Sequence, residues 1–147
     1  MTEIERRRWM AVLARAEADA IAAGLERIAD LPAWRVLRGP ESGLVMVRGR
    51  AGGGGAAFNL GEMTVTRCTV RAAGGEVGHA YVAGRDQRRA ELAAVVDALM
   101  QNEELRDAVE ARIVRPLARA QTAAREAVAG KAAATRVQFF TLATMRS

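Results

Sequence analysis

This sequence predicts an α+β fold: an antiparallel sheet of about four to five strands packed by three to four helices, two of them long and C-terminal. Three observations carry that expectation. Apolar residues recur at helical spacing near both ends of the chain. Short apolar runs bounded by glycine fill the middle. The runs follow one another too closely for crossover helices, which parallel neighbours need, so the strands are expected to be antiparallel.

Residues 3–28 read as helix. Trp9, Leu13, Ala16 and Ala20 repeat every three or four positions, and Ile21, Leu25 and Ile28 carry a stripe past Gly24, where a break or bend is expected. Leu31-Pro32 closes that register. Val36-Leu37 then leads to a turn at Gly39-Pro40. Leu44-Val45-Met46-Val47 is a strand candidate, ended by the glycine run 52–55. Residues 58–60, 63–71 and 77–83 are three more, with Gly74-Gly75 as a hairpin turn. Helix resumes after Gly84 with Asp86 as N-cap, and Leu92, Val95, Val96, Leu99 and Met100 form its stripe. A further helix is expected over about 103–129, built on Leu105, Val109, Ile113 and Leu117. Pro116 should kink it and Gly130 should stop it. Residues 136–142 read as a last strand. No repeat or linker divides residues 1–147, so one domain is expected.

Half of the 147 residues are hydrophobic, and the formal net charge is +5. Arginine carries nearly all the positive charge, since Lys131 is the lone lysine. Its planar fork suits phosphates and carboxylates, although codon usage in a GC-rich genome enriches it too. Neither a membrane span nor a secretory signal is legible, and the single Cys68 excludes an internal disulfide. A cytoplasmic protein is expected.

Several chemistries lack their residues. A P-loop fails because Ala132 follows Gly130-Lys131 and Arg125 stands where the first glycine belongs. Cys68 and His79 are too few for a zinc site or an iron–sulfur cluster, so no metal and no cofactor are expected. A Cys68–His79 nucleophilic pair remains conceivable, with structural roles favoured.

Three stretches invite anion contacts. Arg48 and Arg50 flank a glycine-rich turn whose N–H groups can face an anion, or which is simply a flexible loop. On a strand, Arg67 shares a face with Val65 and Met63, opposite Thr64, Thr66 and Cys68; it is either an edge-strand arginine with a solvated tip or, if buried, in need of a partner such as Glu62, Glu76 or an anionic ligand. His79 and Tyr81 share a strand face, and Arg85 sits where strand passes to helix. The candidate anion or interface contacts are therefore Arg48, Arg50, Glu62, Arg67, His79 and Arg85. No catalytic residue is assigned.

The same stretches carry a family resemblance. Residues 9–16 and 37–50, then Phe58-Asn59-Leu60-Gly61-Glu62-Met63-Thr64-Val65-Thr66-Arg67-Cys68, Gly78-His79-Ala80-Tyr81-Val82 and 134–141, resemble the PhnG family, the G subunit of the carbon–phosphorus lyase system. The likeness runs through essentially the whole chain. It departs at the four glycines and Ala56-Ala57 before Phe58. The resemblance implies a part in phosphonate breakdown. With subunits H, I and L, the family is associated with forming α-D-ribose 1-methylphosphonate 5-triphosphate, in which a phosphonate displaces adenine from the ribose C1 of ATP. It also implies that subunit I carries the nucleosidase chemistry, that subunit J carries the iron–sulfur radical step, and that a two-fold core complex holds G, H, I and J. A homodimer or assembly into that complex is the expected state. The alternative is a small basic nucleic-acid-binding protein, against which stand the few aromatics and the mixing of arginines with acids. A stand-alone transferase or hydrolase ranks third, for want of a paired acid/base motif.

Overall fold

The computed structural model describes residues 2–50, 52 and 54–145. Two of the residues in the expected glycine-rich turn, Ala51 and Gly53, lie outside that range.

The first helix, α1 (Glu3–Arg15), starts with a capping box: Thr2 Oγ1 accepts from Glu5 N–H at 3.1 Å, and the Glu5 carboxylate accepts from Thr2 N–H at 2.8 Å. That second bond leads the lowering of the Glu5 carboxyl pKa. The expected single helix over 3–28 is in fact two, because Ala16 and Glu17 are extended before α2 (Ala18–Glu26). The reason lies in the stripes. At 3.6 residues per turn, Trp9, Leu13 and Ala16 point roughly a third of a turn away from Ile21, Leu25 and Ile28. One straight helix cannot bury both sets, and all six residues are buried. Gly24, where the break was expected, stays inside α2 and lets Ile113 approach; a Cβ there would stand 2.8 Å from Ile113 Cγ1.

Three strands follow: β1 (Trp34–Arg50), β2 (Ala57–Ala72) and β3 (Val77–Ala83), antiparallel in the order β1-β2-β3. All the expected central strands are present, in fewer and longer pieces. The expected turn at Gly39-Pro40 is a bend within β1, marked by register shifts at Val36/Arg38 and Arg38/Glu41. Counting the halves of β1 separately, the sheet has four strand segments. A third shift, at Val47/Arg48, passes over Leu60 and joins the two short runs of β2 into one strand. The β2–β3 turn at Gly74-Gly75 closes with Gly75 N–H donating to the Ala72 carbonyl at 2.9 Å.

Helix α3 (Gln87–Met100) is capped by the Asp86 carboxylate, which accepts from Arg89 N–H at 3.0 Å. Every residue from 92 to 100 is buried, because the sheet covers one side and α1 and α2 cover others. Gly78 of β3 allows this close layering, since any Cβ there would collide with the Ala94 carbonyl and Ala98 of α3.

The last helical run begins at α4 (Arg106–Val109), later than expected, after a turn in which Asn102 Oδ1 accepts from Glu104 and Leu105 N–H. A π turn over Glu110–Val114 leads into α5 (Arg115–Met145), and Arg115 N–H donates to the Glu110 carbonyl five residues back. Pro116, which supplies no N–H, sits directly after this widened turn.

The expected last strand over 136–142 is corrected to helix, and Gly130 does not end α5. The alanine-rich run before 136 favours propagation, and one interior glycine opposes it by only about 1 kcal/mol. Gln121 ties α5 to the body through a 2.9 Å bond to the Val12 carbonyl, and residues 122–135 are all exposed. The helix therefore leaves the body as a projection.

Candidate functional site

Strand alternation gives the sheet a covered face and an open one. Thr66, Cys68, Val70 and Ala72 of β2, with Ala80 and Val82 of β3, are buried on the covered side. The residues between them face away from α3. Register sets Arg67 beside Glu41 and Tyr81, Thr69 beside Arg38 and His79, and Arg71 beside Arg35 and Val77.

Two of the candidates from the sequence, Arg67 and His79, come together on this open face. They border a hollow of about 210 Å³ with Arg38, Thr69 and Tyr81. Thr69 Oγ1 and His79 Nδ1 are 3.1 Å apart. The partner of Arg67 is Glu41, not Glu62 or Glu76: Arg67 Nε donates to Glu41 Oε1 at 2.6 Å, and Arg38 Nε reaches the same oxygen at 3.3 Å. The Arg67 hydrogen bond leads the lowering of the Glu41 carboxyl pKa.

The other candidates lie elsewhere. Arg48, Arg50 and Glu62 belong to the distal part of the β1–β2 hairpin, and Arg85 is exposed in the turn after β3. Asp86 is the helix cap already described.

Cys68 and His79 do not form a pair. Cys68 stands opposite Ala80 on the covered face, while His79 is on the open face. Cys68 is only 2 % exposed, and burial pushes its thiol pKa up to about 11. A thiol in that setting is a poor nucleophile. Two results are expected. The native protein should resist thiol reagents that label it fully once unfolded. Its stability should also fall as pH rises from about 9 towards 11. The unfolded chain then releases the thiol proton while the folded chain keeps it, so the proton difference favours unfolding. Urea midpoints of wild type and Cys68→Ala across that range test this: the wild type should lose more stability, and parallel curves would contradict it.

A buried group missed at the sequence level sits beneath His79. Asp97 of α3 is fully buried. Its carboxylate accepts from Arg6 Nη2 at 2.9 Å, from Arg6 Nε at 3.3 Å, from Trp9 Nε1 at 2.7 Å and from the His79 backbone N–H at 2.9 Å. One side chain thus ties α1, α3 and β3 together and fixes the strand that presents His79. Asp97 falls on the face of a helix whose other residues pack as core, so its polarity was the available signal.

The distal hairpin is the other unusual region. Pairing with β3 ends at Val65–Ala83, so residues 44–50 and 57–64 form a two-stranded arm. At about 3.3 Å per residue it extends roughly 20 Å. Its apolar side chains are not covered. Leu44 is 64 % exposed, Leu60 63 %, Met46 54 % and Phe58 46 %, with Val45, Val47 and Met63 also exposed. They occupy both faces of the arm, since Leu44 and Met46 alternate with Val45 and Val47.

Among the described residues, no three His, Cys, Asp or Glu side chains form a group able to hold a metal ion, and no helix is long and apolar enough to cross a membrane.

Residues 4–145 match the profile of the family described as Phosphonate metabolism protein PhnG. A similar protein is the Alpha-D-ribose 1-methylphosphonate 5-triphosphate synthase subunit PhnG of Rhizobium meliloti (strain 1021). It is 49% identical over 138 residues, which cover 94% of this chain and 88% of that protein.

Proposed function

The chain belongs to the PhnG family of phosphonate metabolism proteins, and from that premise we propose that it is an obligate, non-catalytic subunit of a ribose 1-methylphosphonate 5-triphosphate synthase. In this reading it works in the cytoplasm with subunits H, I and L. The assembly transfers a phosphonate to the ribose C1 of ATP and releases adenine. Subunit I performs the displacement, and this chain shapes and completes the assembly. It also enters the core complex that holds subunit J, with two copies of each of G, H, I and J.

The observation that carries the proposal is the apolar hairpin arm. An isolated two-stranded hairpin is marginal in water, and soluble monomers rarely expose a contiguous apolar patch of this kind. An arm with apolar side chains on both faces is suited to insertion between partner surfaces. The projecting part of α5 offers a second contact. The residue chemistry agrees: Cys68 is buried and protonated, on the face opposite His79.

Reconstitution tests the reading. Purified H, I and L companions are mixed with ATP and methylphosphonate, with and without this chain, and free adenine and the ribosyl phosphonate are measured. Product should fall to background when the chain is omitted. An unchanged yield would remove it from the reaction.

A further inference from the structure

One arrangement on the open face is left unused by the subunit reading. Arg35 of β1 and Arg71 of β2 are direct cross-strand neighbours. Val70 and Ala72 are buried against the core, and Trp34 and Val36 pack on it. Alternation therefore sends both guanidinium groups to the face away from α3. Like charges directly opposite one another destabilise a sheet unless something offsets them. Arg38 and Arg67 have such an offset, because they share Glu41. No carboxylate among the described residues lies within ion-pair distance of Arg35 or Arg71. A hollow of about 320 Å³ at this end of the sheet borders the pair, lined as well by Ala33, Trp34, Ala72 and Ala73.

We propose that Arg35 and Arg71 form a binding site for a tetrahedral oxyanion of the phosphoryl type. Cross-strand Cβ atoms lie about 5 Å apart, so two planar forks can close on one anion with several oxygens. That relieves the repulsion built into the pair. Arg38 stands beside Thr69, one pleat repeat along β2 from Arg71, or roughly 7 Å. A ligand with a second anionic group would reach it. An acidic protein segment suits the place less well. Docked segments rely on buried apolar anchors, and this hollow offers mainly alanine and the half-buried Trp34. The site stands on the free chain's own sheet and needs no partner.

Calorimetric titration of the full chain tests it, at ionic strength held constant with sodium chloride. The probes are inorganic phosphate and magnesium-free ATP. Saturable binding of one ligand per chain is expected for at least one of them. Tighter phosphate points to a free ion as the source, and tighter ATP to the phosphates of a nucleotide. Arg35→Gln and Arg71→Gln should each weaken binding by about tenfold, the factor that corresponds to 1.4 kcal/mol. Arg71→Lys keeps the charge but loses the fork, so it should fall between wild type and Arg71→Gln. Arg48→Gln, out on the hairpin, should bind like wild type. All these positions are exposed, and circular dichroism checks that each variant is folded. Binding of neither probe, unchanged binding in both glutamine variants, or equal binding of an oligoglutamate peptide would overturn the proposal. None of these results bears on whether the chain assembles with subunits H, I and L.

Discussion

Replacing Asp97 with alanine is expected to destabilise the protein by about 3–5 kcal/mol, the range for removing one partner of a buried charge pair. The loss has two sources. Arg6, whose side chain is 29 % exposed, keeps some water and loses only its ion pair. The Trp9 indole N–H and the His79 backbone N–H lose their acceptor, and a buried donor left unpaired costs about 1–3 kcal/mol. Asp97→Asn should lose nearly as much, because an amide cannot accept from all three donors at once and brings no charge to Arg6. Urea unfolding followed by circular dichroism measures both variants, and the midpoint should fall with little change in slope. A loss below about 1 kcal/mol for Asp97→Ala would mean that the three elements are held together in some other way.

The second large effect is expected at the hairpin arm, in assembly and not in folding. Leu44, Met46 and Leu60 are replaced together by threonine, which keeps strand propensity and removes apolar bulk. Their side chains touch mostly water, so the stability of the free chain should change little. Interface anchors commonly contribute more than 1 kcal/mol each when truncated. The triple variant should therefore bind subunit I at least about a hundredfold more weakly. It should also stay in solution more readily when alone, having lost exposed apolar surface. Sedimentation of mixtures with purified subunit I reads both consequences.

The fold was largely legible where one signal dominated. The stripe on α3, its Asp86 cap and the short-looped strands came directly from spacing. So did the split of β2 into an Arg67 face and a Cys68 face. What could not be read depends on distance across the fold. The break at Ala16 and Glu17 follows from two helical stripes that must both be buried, and only the positions of α3 and the π turn make both burials necessary. The tail has strand-forming Val137, Phe139 and Phe140, yet the helix arriving from the alanine-rich run continues through them.

The candidate site was less legible, because it depends on register. Strand parity alone puts Arg67, Thr69 and Arg71 on one face. Which β1 residues join them is decided by the irregularities at Val36/Arg38 and Arg38/Glu41, and these bring Arg35, Arg38 and Glu41 into place. Register also sends Cys68 and His79 to opposite faces, which separates a pair that the sequence left open. Asp97 gave no motif, since its three donors come from α1 and β3.

Hydrogen exchange at backbone amides of the hairpin arm addresses the proposed role most directly. Residues 44–50 and 57–64 are compared in the chain alone and in the assembly with subunits H, I and L. If the arm is a docking element, its amides should exchange quickly in the free chain and become strongly protected on assembly, while α3 stays protected throughout. Equal exchange of the arm in both states, within an assembly that contains the chain, would contradict the account.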